Sequence, residues 1–266
     1  MVAALPPSDK ATTAAGEKRV SVVDRAARIL SCFTAATPEW TLPQISSRLQ
    51  IPKPTAFRIL ATLVRHGLLD SNPATASYTL GFAPLRLADA LLDGLDIRHR
   101  ARPFMRVVLD AVGETVILSI RDGDHRINID SAESAHSIAQ TLQLGIRAPL
   151  YAGAASHVFL AAMNDAELDA YLARTKLVAF SPATLIQPDA IRRRIVQVRT
   201  QGFALSSSEF TAIGTVAIAV PVCDADGRTV AALHVSGPKG RMTADLQKAC
   251  VEELKNGSAN LTTTYR

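Results

Sequence analysis

The sequence predicts an α+β fold with two domains. Before Gly81, apolar residues recur every three or four positions in three short runs, and a hairpin pattern follows. After about residue 100, helical and strand patterns alternate, and short turns favour antiparallel pairing of the strands. A chain of 266 residues is long enough for two cores. We expect a disordered tail at 1–18, a first domain at 19–81, a linker helix at 82–99 and a second domain at 100–266.

Composition and charge limit the classes of protein to consider. Hydrophobic residues make up 48% of the chain and charged residues 20%, which is typical of a folded globular protein. The net charge is +5, and residues 1–80 hold nine Lys or Arg against five Asp or Glu, which suits an anionic partner such as nucleic acid. The three cysteines show no CxxC spacing, and no run approaches the roughly 20 apolar residues of a membrane helix. We therefore expect no cofactor, no contact with a membrane and a cytoplasmic location.

Local signals in residues 19–81 predict a winged helix-turn-helix. A first helix starts near Ser21, and Thr41 with Gln44 has the spacing of a capping box at the start of a second. A third helix begins at Lys53, with Pro54 in its first turn, where no helical hydrogen bond is lost. Residues 68–70 and 77–80 have strand patterns separated by a turn at 72–75, so a two-stranded wing follows the helices.

The start of the third helix is the predicted DNA-reading segment. A major-groove reader presents the N-terminal residues of one helix to base edges, and a preceding helix sets it against the backbone. Arg58 can pair with a guanine edge and Phe57 can contact a thymine methyl, whereas Lys53 or Thr55 can hold a phosphate or a base. The candidate interface consists of Thr41, Lys53, Pro54, Thr55, Phe57, Arg58 and Tyr78.

Two further patterns concern the linker and the second domain. Leu85, Ala88, Leu92 and Leu95 form a narrow apolar seam, which either pairs with a second copy of the chain or packs on its own domains. In the second domain we predict helices at 152–172, at 188–199 and from about residue 243. We predict strands at 115–120, 127–130, 203–207, 216–222 and 230–235.

The chain resembles the IclR family of bacterial transcription regulators. The segment LPQISSRLQIPKPTAFRILATLVRHGLLD and the later YTLG resemble that family's winged helix. GETVILSIRDG, DSAES, GIRAPLYAGAASHVFLA and AIAVPVCDADGRTVAALHVSGP resemble successive parts of its C-terminal domain in the same order. The resemblance implies a GAF-like C-terminal domain that binds a small organic or aromatic acid, and a homodimer or dimer of dimers that binds an operator in double-stranded DNA.

The resemblance also implies the place of a carboxylate effector site. We expect the backbone N–H groups at the start of the helix near Ala154 to face the carboxylate, because a helix N-terminus favours anions. His234 stands where Ser is common in the family. It is expected to add a cation, because a protonated histidine can form an ion pair with a carboxylate and a serine cannot. Ser206 lies in a serine run that replaces an acidic pair. The candidate effector residues are Gln140, Leu142, Ala154, Ala155, Ser156, Ser206, Ala217, His234 and Ser236.

Three alternatives remain open from the sequence. A hydrolase using the serines at 206–208 with His157 or His234 is disfavoured, because no GxSxG, phosphate loop or HExxH motif is present. A metal sensor would need His157, His234 and Cys223 to converge, and their spacing does not indicate this. The third alternative keeps the DNA-binding domain but gives the C-terminal domain a role in dimerisation alone.

Overall fold

The computed structural model describes residues 21–136, 144–210 and 214–264. The chain divides into two compact units, and the boundary between them falls after Gly94. Within the described residues no helix is both long enough and apolar enough to cross a membrane. The antiparallel sheets and the helix order confirm the predicted α+β class.

The N-terminal unit is a three-helix cluster with a small sheet. Its sheet order is β1-β3-β2, and both pairings are antiparallel. Ile29, Ile45, Leu60 and Leu69 are fully buried and join the three helices to the first wing strand. The elements are α1 (Ser21–Leu30), β1 (Trp40–Thr41), α2 (Leu42–Leu49), α3 (Lys53–Arg65), β2 (Leu69–Asn72), β3 (Ser77–Leu80) and α4 (Ala83–Asp93).

The segment 82–99, predicted as one linker helix, contains parts of two helices. α4 ends at Asp93, and α5 begins at Asp96 after a break at Gly94 and Leu95. The apolar seam continues across this break, so periodicity alone did not reveal it. Glycine is a poor helix former because it has the greatest backbone freedom to lose, which favours a break here.

The C-terminal unit is built on a six-stranded antiparallel sheet with the order β6-β5-β4-β9-β8-β7. Helices cover both of its faces: α5 and α9 pack on one, and α6 packs on the other together with α8. The elements are α5 (Asp96–Val112), β4 (Thr115–Asp122), β5 (His125–Ala132), β6 (Arg147–Pro149), α6 (Ala154–Ala161), α7 (Asp165–Arg174), α8 (Pro188–Gln201), β7 (Ala204–Ser207), β8 (Thr215–Cys223), β9 (Thr229–Pro238) and α9 (Ala244–Thr264).

The single helix predicted at 152–172 is two helices. α6 ends at Ala161, and α7 starts after Asn164. The Asn164 side chain accepts a hydrogen bond from the backbone N–H of Glu167, and the Glu167 carboxylate accepts one from the Asn164 N–H. This reciprocal capping box satisfies donors at a new helix start, which makes the break favourable.

Candidate nucleic-acid interface and ligand-binding face

The first turns of α3 expose the residues that the sequence predicted for DNA reading. Lys53, Pro54 and Arg58 are exposed, Phe57 is 54% exposed, and Thr55 is half-buried. Neither Lys53 nor Arg58 forms a salt bridge with any described residue, so both cations are available to an external partner. An exposed phenylalanine between available cations is costly in water, and a base methyl would cover it.

The opposite side of α3 holds the reading surface in place. Ala56, Ile59, Leu60 and Leu63 are buried against the rest of the unit. Their spacing of three and four residues therefore fixes which side of the helix faces outwards. The turn before α3 is also constrained, because the Ser46 hydroxyl donates to the carbonyl of Ile51 at 2.7 Å.

Thr41 and Tyr78 are more constrained than the candidates on α3. The capping box predicted at the start of α2 is present: the Thr41 N–H donates to Gln44 Oε1 at 2.8 Å, and the Thr41 hydroxyl lies 3.0 Å from the same atom. Tyr78 is half-buried in β3 and packs against the helical core. The wing itself contains no Lys or Arg between Asp70 and Leu80, so the Lys and Arg residues that the structure describes in this unit lie on its helices.

In the C-terminal unit, the sheet face towards α6 contains four of the nine predicted effector residues. Ser206 lies opposite Ala217, and Ala217 lies opposite Ser236 on the next strand. His234 lies two residues before Ser236 on the same strand and so shares its face. We call this surface the α6-facing side of the sheet. Gln140 and Leu142 fall in 137–143 and lie outside the described residues.

The N-terminus of α6 meets this side of the sheet, and two of its donors are already used. The Ala154 N–H donates to the Ser206 hydroxyl at 3.0 Å, and the Gly153 N–H donates to Glu209 Oε2 at 3.3 Å. Glu209 is buried and also accepts from Arg194 Nη1 at 3.0 Å. The backbone N–H groups expected to face a ligand are therefore partly occupied by the protein's own acceptors.

The predicted cationic role of His234 is wrong. Burial is the main cause that lowers the pKa of His234 well below its usual range, and the charge of Arg126 lowers it further. His234 is therefore neutral near pH 7, and its Nε2 lies 3.2 Å from the Ser119 hydroxyl. The cation on this side of the sheet is Arg126, which sequence reasoning missed.

Arg126 lies on β5 and belongs to a buried polar chain. Its Nε donates to the Ser156 hydroxyl at 3.0 Å, and its Nη1 donates to Asn128 Oδ1. The Ser119 hydroxyl donates to the same Asn128 oxygen at 2.8 Å. Burial lowers the pKa of Arg126 to about 10, so the guanidinium keeps its charge at neutral pH. This chain links the start of α6 to the neutral His234.

The sequence pattern did not predict a role for Arg126, because polar residues that alternate along a strand usually face solvent. Here helices cover both faces of the sheet, so both sides of β5 contribute buried residues. The alternation itself was the available signal, since Arg126 and Asn128 have the same parity and share a face.

The hydrolase and metal-sensor alternatives find no support in this geometry. His157 is fully buried, and its Nε2 donates to the carbonyl of Tyr151 at 2.9 Å, whereas His234 contacts Ser119. Neither histidine therefore pairs with a serine at 206–208. Over the described ranges, no group of three His, Cys, Asp or Glu side chains could hold a metal ion.

Comparisons with known proteins identify the family of both parts of the chain. Residues 22–73 match the model of the IclR helix-turn-helix domain, and residues 89–263 match that of the bacterial transcriptional regulator IclR C-terminal domain. The HTH-type transcriptional regulator XynR of Escherichia coli is 32% identical over 82% of this chain and 86% of its own length. The Pca regulon regulatory protein of Pseudomonas putida is 34% identical over 89% and 81%, respectively.

Solved structures show the same fold. An IclR transcriptional regulator from Alicyclobacillus acidocaldarius superposes with a TM-score of 0.81 at 26% identity, covering 92% of this chain and 98% of that one. An IclR homologue from Microbacterium hydrocarbonoxydans, solved with 4-hydroxybenzoate, gives a TM-score of 0.76 at 23% identity, covering 91% and 98%. With both domain models matched in order, the chain belongs to the IclR family of bacterial transcription regulators and is not an enzyme.

Proposed function

We propose that this regulator binds its operator through α3 and that a small organic carboxylate, bound on the α6-facing side of the sheet, changes its DNA binding. The observation that supports the DNA-binding part most directly is the exposed start of α3, where Phe57 is exposed and the side chains of Lys53 and Arg58 have no partner among the described residues. A guanidinium at this position of a reading helix pairs with guanine in the major groove. Catabolic genes are the proposed targets, as the name of the Pca regulon relative suggests.

The test of the reading helix is a pair of arginine variants. An operator selected from random duplexes with the wild-type chain is titrated with Arg58→Gln and with Arg106→Gln at matched salt. Arg106 is 72% exposed on α5 in the other unit, so its replacement removes the same charge away from the proposed interface. We expect Arg58→Gln to lose about 1–3 kcal/mol of specific binding and to relax base preference at one position. Equal losses from both variants would contradict this assignment.

The ligand part of the proposal is supported by the polar character of the α6-facing side. Ser156, Ser206, His234 and Ser236 are all buried there, although a purely structural core would be apolar. The solved homologue from Microbacterium hydrocarbonoxydans is complexed with 4-hydroxybenzoate, a small aromatic acid, which supports this proposal. A thermal-shift screen of carboxylates tests the proposal, because a ligand that binds only the folded state raises the melting temperature. The absence of a shift with any acid would favour the alternative in which the C-terminal unit serves dimerisation alone.

We further propose that α4 pairs with a second copy of the chain, in a dimer or dimer of dimers. No residue of α4 is buried, and Leu85, Leu87 and Leu91 are 64%, 65% and 66% exposed. Three large apolar side chains on one short helix favour burial against another protein surface. Sedimentation of wild type and Leu87→Glu tests this, and an unchanged mass for the variant would argue against α4 as the contact.

A further inference from the structure

The guanidinium of Arg126 is a buried charge without a carboxylate partner. Arg126 is 6% exposed, and no described Asp or Glu forms a salt bridge with it. The internal segments outside the described residues, 137–143 and 211–213, contain no Asp or Glu. Neither of these segments can therefore supply the missing negative charge.

The other buried charges of the C-terminal unit are paired. Glu114 pairs with Arg241, and Glu209 pairs with Arg194. Asp130 pairs with two arginines of α5. The free-energy cost of burying an unpaired ion is far greater than that of burying a paired one. Arg126 is therefore an exception among the buried charges of this unit, and its lack of a partner needs an explanation.

The surroundings of Arg126 hold its guanidinium in one orientation. Ser156 and Asn128 accept two of the five N–H groups that a guanidinium offers. The guanidinium carbon also lies 5.6 Å from the centre of the Phe210 ring, which covers part of the cation. No other described acceptor bonds the remaining N–H groups, so they are available for a bidentate contact with a carboxylate.

The other candidate anion sites on this side of the sheet are less suitable. The Gly153 and Ala154 N–H groups donate to Glu209 and Ser206, respectively, so two of the N–H groups at the start of α6 are already occupied. His234 is neutral. Because Glu209 is balanced by Arg194, Arg126 is the one buried positive charge without a carboxylate partner among the described residues on the α6-facing side.

We infer that Arg126 binds the carboxylate of a singly charged acid, and that Ser156 and Asn128 position its guanidinium for that contact. This inference rests on the proposed carboxylate response. It adds that the residue that binds the carboxylate is Arg126 on β5 and that the ligand carries a single negative charge. It places the carboxylate at β5 rather than at the first N–H groups of α6. A second carboxylate on the ligand would lie on this side without a second buried cation to balance it.

Acetate is a suitable probe, because it is the smallest carboxylate with a neutral isostere, acetamide. The full-length wild type is melted in sodium acetate up to about 100 mM, with sodium chloride at equal ionic strength and acetamide as controls. We expect a saturable rise of a few degrees with acetate alone, and a smaller rise with malonate, which is a dianion at neutral pH. Arg126→Gln is expected to lose the acetate response, so that its apparent affinity falls by tenfold or more.

Two variants distinguish an anion site from a structural role. Arg121→Gln removes an exposed arginine from β4, the neighbouring strand, and should keep the acetate response. Arg126→Lys keeps the charge but not the fork of donors, and should respond more weakly than wild type. Without acetate, Arg126→Gln should melt no lower than wild type, because it removes an uncompensated charge.

Three other results of these melting experiments would contradict the role of Arg126 or the proposed carboxylate response. If acetate stabilises wild type and Arg126→Gln equally, the carboxylate binds elsewhere and the inference fails, while the proposed carboxylate response stands. If Arg126→Gln loses its cooperative melt without any ligand, Arg126 is structural and the inference also fails. If neither acetate nor any other carboxylate stabilises wild type, the inference and the proposed carboxylate response fail together.

Discussion

The ion pair between Arg194 and Glu209 offers a quantitative test of how the start of α6 is held. The Glu209 side chain is 4% exposed and accepts from Arg194 Nη1 at 3.0 Å and from the Gly153 N–H at 3.3 Å. Replacing Arg194 by Met keeps most of the side-chain volume and removes the cation. The Glu209 carboxylate then remains buried beside His157. Burial lowers the pKa of His157, so this histidine does not supply a positive charge in place of the arginine.

The size of the effect follows from the burial of both partners. Removing one partner of a buried ion pair costs about 3–5 kcal/mol. Arg194 is 26% exposed, so partial access of water to the site places the expected loss near the lower limit. The hydrogen bond from Arg194 to the Leu205 carbonyl at 2.7 Å is also lost, which adds roughly 1 kcal/mol. For a domain of this size, a loss of about 3–4 kcal/mol lowers the melting temperature by roughly 6–15 °C.

The assay is thermal unfolding followed by far-UV circular dichroism, with the fluorescence of Trp40 as a separate report on the N-terminal unit. Trp40 is the only tryptophan of the chain. The matched control is Arg192→Met on the same helix, where the arginine is 42% exposed and pairs with exposed Asp169 and Asp189. Pairs of that kind contribute about 0–1 kcal/mol, so the control should melt within a few degrees of wild type.

A double variant shows whether the uncompensated carboxylate is the cause. Arg194→Met combined with Glu209→Gln leaves neutral groups on both sides, so it should recover more than half of the stability lost by the single variant. The reasoning is refuted if Arg194→Met melts like Arg192→Met, or if the double variant is no more stable than Arg194→Met alone.

Two further predictions concern the core of α3 and the buried histidines. Leu60→Ala should cost the N-terminal unit about 2–5 kcal/mol, because Leu60 is fully buried, whereas the exposed Thr62→Ala on the same helix should cost far less; Trp40 fluorescence against urea measures both. His157 and His234 have pKa values lowered by burial, so below about pH 6.5 the unfolded chain takes up protons before the folded chain does. The stability that they contribute is complete above that pH and is lost as pH falls from there towards the folded pKa values. His234→Asn should therefore flatten the loss of stability between neutral and mildly acidic pH, and an unchanged pH dependence would count against a buried neutral His234.

Much of the N-terminal unit could be predicted because its signals are local. The capping box of Thr41 and Gln44 and the proline in the first turn of α3 depend on residues within one helical turn of each other. The break between α6 and α7 was missed, although Asn164 and Glu167 carry the same kind of signal. The apolar run on both sides of that break outweighed the capping pattern in the prediction.

Short strands and side-chain charge states were harder to predict. β1 has two residues and β6 has three, and each exists only because a neighbouring strand supplies its hydrogen bonds. The charge of His234 depends on burial and on Arg126, which lies 108 positions away in the chain. A sequence pattern shows neither the burial of His234 nor its proximity to Arg126.

The sequence by itself determined the α+β class, the winged helix-turn-helix and the outward position of Arg58, because helix periodicity, caps and turn residues act over a few positions. Only the tertiary structure decided which polar groups meet on the α6-facing side of the sheet. Strand order and register bring Ser206, Ala217 and Ser236 into one row, and the helices on both faces turn the alternating polar residues of β5 inwards. The electrostatics of that side depend on burial and on long-range neighbours, and for this reason the cation there is Arg126 and not His234.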